Sequence, residues 1–125
     1  MMTIQEAIDE LDALKPNSYT AAQKIKWLSD IDLLAYNEIL STHEDAPEAA
    51  FTGYASDADT ATRLFIPAPY TDVYRWYLES RVDLANAETS KYNNSITLFN
   101  NAYLTFTDRY NREHAPMQNT AAFHW

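Results

Sequence analysis

Apolar positions along the chain recur mostly at steps of three and four residues, the spacing of one face of a helix. Thr3 followed by Glu6 matches the capping box that opens a helix, and Ile4, Ala7, Ile8 and Leu11 then mark a face. This predicts a first helix that stops near Leu14, before Pro16. Thr20 with Gln23 signals a second start. Ile25, Leu28, Ile31 and Ala35, broadened by Trp27, Leu34 and Ile39, carry that helix from Ala21 to about Ser41. Tyr70, Tyr74, Tyr77, Arg81 and Leu84 form a third stripe, widened by Val73, Leu78, Val82 and Ala85, over about Tyr70 to Asn86. Asn86 and Glu88 then mark a break before a fourth helix. Its pattern is the clearest, because Tyr92, Ile96, Phe99, Tyr103, Phe106 and Tyr110 alternate steps of four and three, the seam of a helix lying lengthwise on another. His114 and Pro116 close it.

Between the second and third helices, residues 41–69 have no helical period and include the only glycine, Gly53. A connection of this length inside a compact domain is usually functional. Leu64, Phe65 and Ile66 before Pro67 suit a short extended segment, and residues 115–125 form an aperiodic tail ending Phe-His-Trp. The expected fold is all-α, one domain over residues 1–125, with about four helices. The third and fourth form a long antiparallel hairpin on which the first two pack. A length of 125 residues and an apolar fraction of 46% suit one globular core. One glycine is too few for the tight turns of a β-sandwich or barrel. The lack of cysteine removes disulfide scaffolds, thiolate nucleophiles, zinc ribbons and iron–sulfur clusters from consideration.

Charge adds a second layer. The chain carries 9 basic and 18 acidic residues, a net of −9. Residues 1–62 hold Lys15, Lys24 and Lys26 against twelve acids, whereas residues 63–125 are balanced at six and six, so the imbalance lies in the first half. Duplex binding draws its non-specific affinity from clustered Lys and Arg, which are missing here. The first residues, with Glu6, Asp9, Glu10 and Asp12, do not read as a signal peptide, and the apolar runs are too short to span a membrane. A cytoplasmic location is the expectation.

Candidate chemistry is sparse. His43, His114 and His124 lack a second ligand at helical metal-site spacing and read as capping or surface residues. Asp57 and Asp59 resemble the start of a calcium loop, but Ala61 occupies the next ligand position and no glutamate closes it, which leaves a solvated acidic turn. The pairs Asp30 with Asp32 and Glu44 with Asp45 read as a charged face with no cleft beside them. No phosphate loop or serine elbow occurs. No catalytic, cofactor-binding or metal residue is therefore assigned, no cofactor is expected, and the chain does not read as an enzyme. The tyrosines read as the core of the helix hairpin with hydroxyls at its rim. Asn93, Asn94, Asn100, Asn101 and Asn111 on the fourth helix suit either solvation or hydrogen bonding between subunits.

Several strings together resemble a known family: His43-Glu44, Phe51-Thr52-Gly53-Tyr54, Leu64-Phe65-Ile66-Pro67-Ala68-Pro69-Tyr70, Tyr92-Asn93-Asn94-Ser95, and Tyr110-Asn111-Arg112 with His114 and Pro116. The chain resembles, over nearly its whole length, the head–tail connector or head-completion adaptor proteins of long-tailed phages and prophages. The resemblance implies an all-α subunit that forms a dodecameric ring with copies of itself on the portal protein. It implies contact with the next connector or stopper protein, and DNA passing through the ring without specific binding. It also implies assembly in the host cytoplasm and a final place at the head–tail interface of the virion. Similar sequences often carry glycine after the asparagine at the end of the third helix, where this chain has Ala87.

Acidic side chains facing phosphates would keep passing DNA from sticking. Glu44, Asp45, Glu48, Asp57 and Asp59 are the candidate channel lining, with solubility of the free subunit as the competing explanation. Phe51, Gly53 and Tyr54 in the loop and Phe123 and Trp125 in the tail are candidate partner contacts, or else fold back on the chain's own helices. A rival function is an acidic, DNA-mimicking regulator of a host nucleic-acid enzyme, although the acids cluster in one half and include a loop. The free protein is expected to be a monomer or a weak oligomer.

Overall fold

A computed structural model of the chain describes residues 1–39 and 51–113. They contain four helices, α1 (Ile4–Leu14), α2 (Ala21–Glu38), α3 (Asp72–Ala85) and α4 (Thr89–Glu113), and the fold is all-α. The expected end of α2 near Ser41, the closure of α4 at His114 and Pro116, and the tail lie outside the described residues.

Local chemistry sets the helix starts. Thr3 accepts the Glu6 N–H at 3.2 Å while the Glu6 carboxylate accepts the Thr3 N–H at 2.9 Å, the reciprocal capping box expected from the sequence. Thr20 caps α2 by accepting the Gln23 N–H at 3.1 Å. The first turn of α1 also has N–H groups with no partner inside the helix, and the long loop supplies acceptors for them. Ile4 N–H bonds to the Thr62 carbonyl at 3.0 Å and Gln5 N–H to the Thr60 carbonyl at 2.9 Å, while Leu64 N–H returns to the Met2 carbonyl at 2.9 Å.

The α3–α4 hairpin is the most extensive helix pairing, and α3 is the hub: it packs on α1, α2 and α4, whereas the backbone of α4 packs closely on α3 alone. That position explains why α3 is buried all round, with Val73, Tyr74, Leu78 and Val82 in the core and Glu79, Ser80 and Asp83 buried as well. At about 1.5 Å per residue, α3 is roughly 21 Å long and α4 roughly 37 Å, so α4 overhangs its partner. Phe106, buried in that overhang, packs on Tyr70 of the loop at 6.0 Å between ring centroids, and the Tyr103 hydroxyl donates to Glu38 at the end of α2 at 3.1 Å.

The α1 face is buried as expected, as are Ile25, Leu28, Ile31 and Ala35 of α2 and Phe99 and Phe106 of α4. Three positions assigned to faces are instead exposed, Leu34 at 37%, Leu84 at 51% and Ala85. Leu34 lies at the margin of its stripe, and Leu84 and Ala85 stand in the last turn of α3. The break between α3 and α4 places Ala87 at φ +58°, a left-handed conformation that explains why glycine suits this position.

Candidate functional site

The most organised polar site is one that the sequence reading assigned to solvent. Asp32, on the inner face of α2, is fully buried. One carboxylate oxygen accepts the Tyr74 hydroxyl of α3 at 2.6 Å. The other accepts the Tyr54 hydroxyl in a short bond and the Phe65 N–H at 3.2 Å, both from the long loop. The Tyr74 hydroxyl in turn accepts the Ile66 N–H at 2.7 Å. One carboxylate thus ties together α2, α3 and two points of the loop, and among the described residues no Lys or Arg pairs with it.

Burial pushes the Asp32 carboxyl up from its ordinary value, and the bonds from Tyr54, Tyr74 and the Phe65 N–H pull it partly back. Burial and the neighbouring carboxylate also push both phenols up, so at neutral pH Tyr54 and Tyr74 remain protonated donors. The cluster is a hydrogen-bonded joint with no exposed face at its centre.

The loop is anchored on a second line of contacts. The Tyr54 N–H donates to the Ser29 hydroxyl of α2 at 2.9 Å, which draws the backbone of Gly53 against the helix. Gly53 has φ +106°, and a Cβ there would stand 2.6 Å from the Ser29 hydroxyl oxygen, so conformation and space both require glycine. Phe51 packs edge-on to Tyr54 at 4.9 Å and to Phe65 at 4.6 Å, with Tyr36 of α2 at 6.1 Å from Phe51. Of the two expectations weighed for these aromatics, the structure favours folding back: Phe51, Gly53 and Tyr54 pack on the chain's own α2 and on Phe65, each only partly exposed.

A second buried carboxylate joins α1, α3 and α4. Asp83 accepts Lys15, at the end of α1, at 2.6 Å and the Ser95 hydroxyl of α4 at 2.9 Å. Lys15 also stands 3.8 Å from Glu79, which is paired with Arg75 at 2.9 Å. Lys24, buried on α2, pairs with Asp12 of α1 at 2.7 Å.

Among the remaining candidates, Asp57 and Asp59 are exposed, as a solvated acidic turn requires. The Asp59 carboxylate accepts the Ala61 N–H at 3.0 Å, so it shapes its own turn. Glu44, Asp45, Glu48, Phe123 and Trp125, with His43, His114 and His124, lie outside the described residues. Among those described, no group of three metal-ligating side chains converges and no helix is long and apolar enough to cross a membrane. Asp32 and Asp30 do not share a charged face, because their side chains diverge around α2: Asp30 pairs loosely with Lys26 at 3.5 Å and Asp32 turns inward.

Comparison with protein-family models, with curated proteins and with solved structures finds no match.

By residue type Asp32, between Ile31 and Leu33, reads as surface charge, whereas its angle around α2 places it in the apolar stripe. Asp32 stands four residues after Leu28 and three before Ala35, on the buried side of α2. That spacing was the available signal.

Proposed function

We propose that this chain is a structural subunit of a long-tailed phage particle, a head–tail connector that forms a ring on the portal protein and continues the DNA channel toward the tail. The observation that carries the reading is where the residues of the family resemblance sit. Tyr54 and Phe65 bond to Asp32, Ile66 bonds to Tyr74, and Ser95 bonds to Asp83, so three of the five recognisable strings hold joints of the fold. Residues used to fix a long loop and a helix hairpin in one shape suit a part that must present constant surfaces to neighbours on either side. The acidity suits the same role. Asp57 and Asp59 are exposed on that fixed loop, and a net charge of −9 repels phosphates.

In this reading the partners are further copies of the chain in a dodecameric ring, the portal protein, and the next connector or stopper protein. Assembly takes place in the host cytoplasm, and DNA slides through without being held. The test is to combine the purified protein with its portal and image the product by electron microscopy. Rings stacked on the portal are expected, together with no retention of duplex DNA by the free protein at moderate salt. A portal that stays bare, or duplex binding that weakens steeply with added salt, overturns the proposal.

A further inference from the structure

The outer face of α4 is built unlike the rest of the surface. Because α4 packs lengthwise on α3 through Phe99 and Phe106, the opposite side has no helix against it among the described residues. Asn93, Asn94, Thr97, Asn100, Asn101 and Leu104 are all exposed along that side, Leu104 at 59%. From Tyr92 to Thr107 the chain carries no charged residue, although 22% of the whole chain is charged.

Exposed helix faces are ordinarily built from Glu, Lys, Arg and Gln, which favour the helix and stay hydrated. Asparagine and threonine are poorer helix formers, by up to about 0.7 kcal/mol per residue relative to alanine, and they supply no charge for solubility. Among the described residues, no side-chain partner of these asparagines recovers the cost. Thr97 and Thr105 bond back to the carbonyls of Asn93 and Asn101 at 2.8 and 2.9 Å, which satisfies the hydroxyls and leaves the amides outward.

Charge identifies the occupant. Two copies of a chain with a net charge of −9 repel each other wherever acids meet acids, and an uncharged face lets them approach without that penalty. Side-chain amides both donate and accept, so they pair with the polar groups of another copy without a fixed sign of charge. Leu104 adds an apolar centre of the kind that contacts between subunits bury. We infer that this face of α4 is the surface through which the chain docks a second copy of itself. The inference deepens the ring reading and rests on it for self-assembly, adding the surface that performs it. In a closed ring the α4 face of one copy meets a different surface of the next.

The test adds like charge to the face. Asn94→Asp with Asn101→Asp is compared with wild type and with a control of equal added charge elsewhere, Ser18→Asp with Ser56→Asp, at exposed positions. Circular dichroism and thermal melts check that the variants fold, and sedimentation velocity with native mass spectrometry over a wide concentration range reads self-association. Wild type and control should associate alike, and the α4 variant at least about tenfold more weakly. Association by the α4 variant at the wild-type level, equal weakening in both variants, or a wild type that stays monomeric at every concentration overturns the inference. The two proposals separate on the portal. Rings that admit the α4 variant as readily as wild type refute the inference and leave the connector reading standing. Loss of self-association by the variant, with no portal rings from wild type, does the reverse.

Discussion

Replacing Asp32 with asparagine keeps the shape of the side chain and changes only what its two polar atoms do. The amide can orient in two ways. If its oxygen faces Tyr74, its NH2 meets the Phe65 N–H, a backbone donor that cannot turn away, at the 3.2 Å position of the native bond. If its oxygen instead keeps Tyr54 and Phe65, the NH2 faces the Tyr74 hydroxyl, which already accepts the Ile66 N–H at 2.7 Å. That hydroxyl then has to accept twice and leave its own proton without a partner. The second arrangement costs less, yet it still exchanges a bond to a charged acceptor for an orphaned buried donor. Such a bond contributes about 1.5–3 kcal/mol, and an unsatisfied buried group costs about 1–3 kcal/mol. Relief from burying a carboxylate offsets part of this. The net expectation is a loss of about 1–2 kcal/mol for Asp32→Asn, and about 3–5 kcal/mol for Asp32→Ala, which strands all the donors and opens a cavity.

Urea unfolding of wild type and Asp32→Asn as a function of pH measures this directly. The folded carboxyl is pushed above its ordinary value, so the folded state keeps a proton that the unfolded chain has released. The stabilisation linked to that proton is fully present below the unfolded value and is lost as pH rises through the folded one. Because asparagine does not titrate, the deficit of Asp32→Asn should be larger at acid pH and shrink across that window. A local readout is available at Arg63, exposed in the loop that the joint holds. Tryptic cleavage there should be about tenfold faster in Asp32→Asn, the ratio that corresponds to ~1.4 kcal/mol of easier opening. Equal stability and equal cleavage would show that the carboxylate does not hold the loop, and the account of the joint would fail.

Gly53→Ala should destabilise by roughly 2–3 kcal/mol, since it combines a strained φ with a clash against Ser29, and a near-wild-type melting temperature would contradict the close approach of loop and helix. Phe106→Ala and Phe99→Ala should each cost about 3–5 kcal/mol by denaturant titration, as both rings are buried; neutral outcomes would place the α4 seam outside the core. Ala87→Gly should raise stability by about 0.5–1 kcal/mol by removing the left-handed penalty on a Cβ, less the added freedom of the unfolded chain, and a fall in melting temperature would argue against that turn geometry.

The helices were legible because each writes its own period, and the first two also write their own starts. Thr3 with Glu6 and Thr20 with Gln23 are local caps, and the faces of α1 and α4 bury the residues that their spacing selects. The end of α1 before Pro16 follows from the same short-range rules. Composition alone kept β architectures out, with one glycine in the chain.

What each polar residue does was decided by tertiary structure. Sequence spacing describes one helix against an unspecified neighbour, and it assumes that acids face water. In the fold, α3 has neighbours on several sides, so Glu79 and Asp83 are enclosed and depend on Lys15 and Ser95, which arrive from other parts of the chain, and on Arg75 one turn earlier in α3. Asp32 reads as surface charge in the sequence and becomes the centre of the molecule because Tyr54, Phe65 and Tyr74, remote from it along the chain, bring their donors to it. The described part of the loop, residues 51–69, whose aromatics admitted either a partner or the chain's own helices, is fixed for the same reason: its place is set by groups on α2 and α3 that no local pattern contains. Periodicity is a property of neighbours along the chain, whereas satisfying a buried charge requires groups assembled from across it.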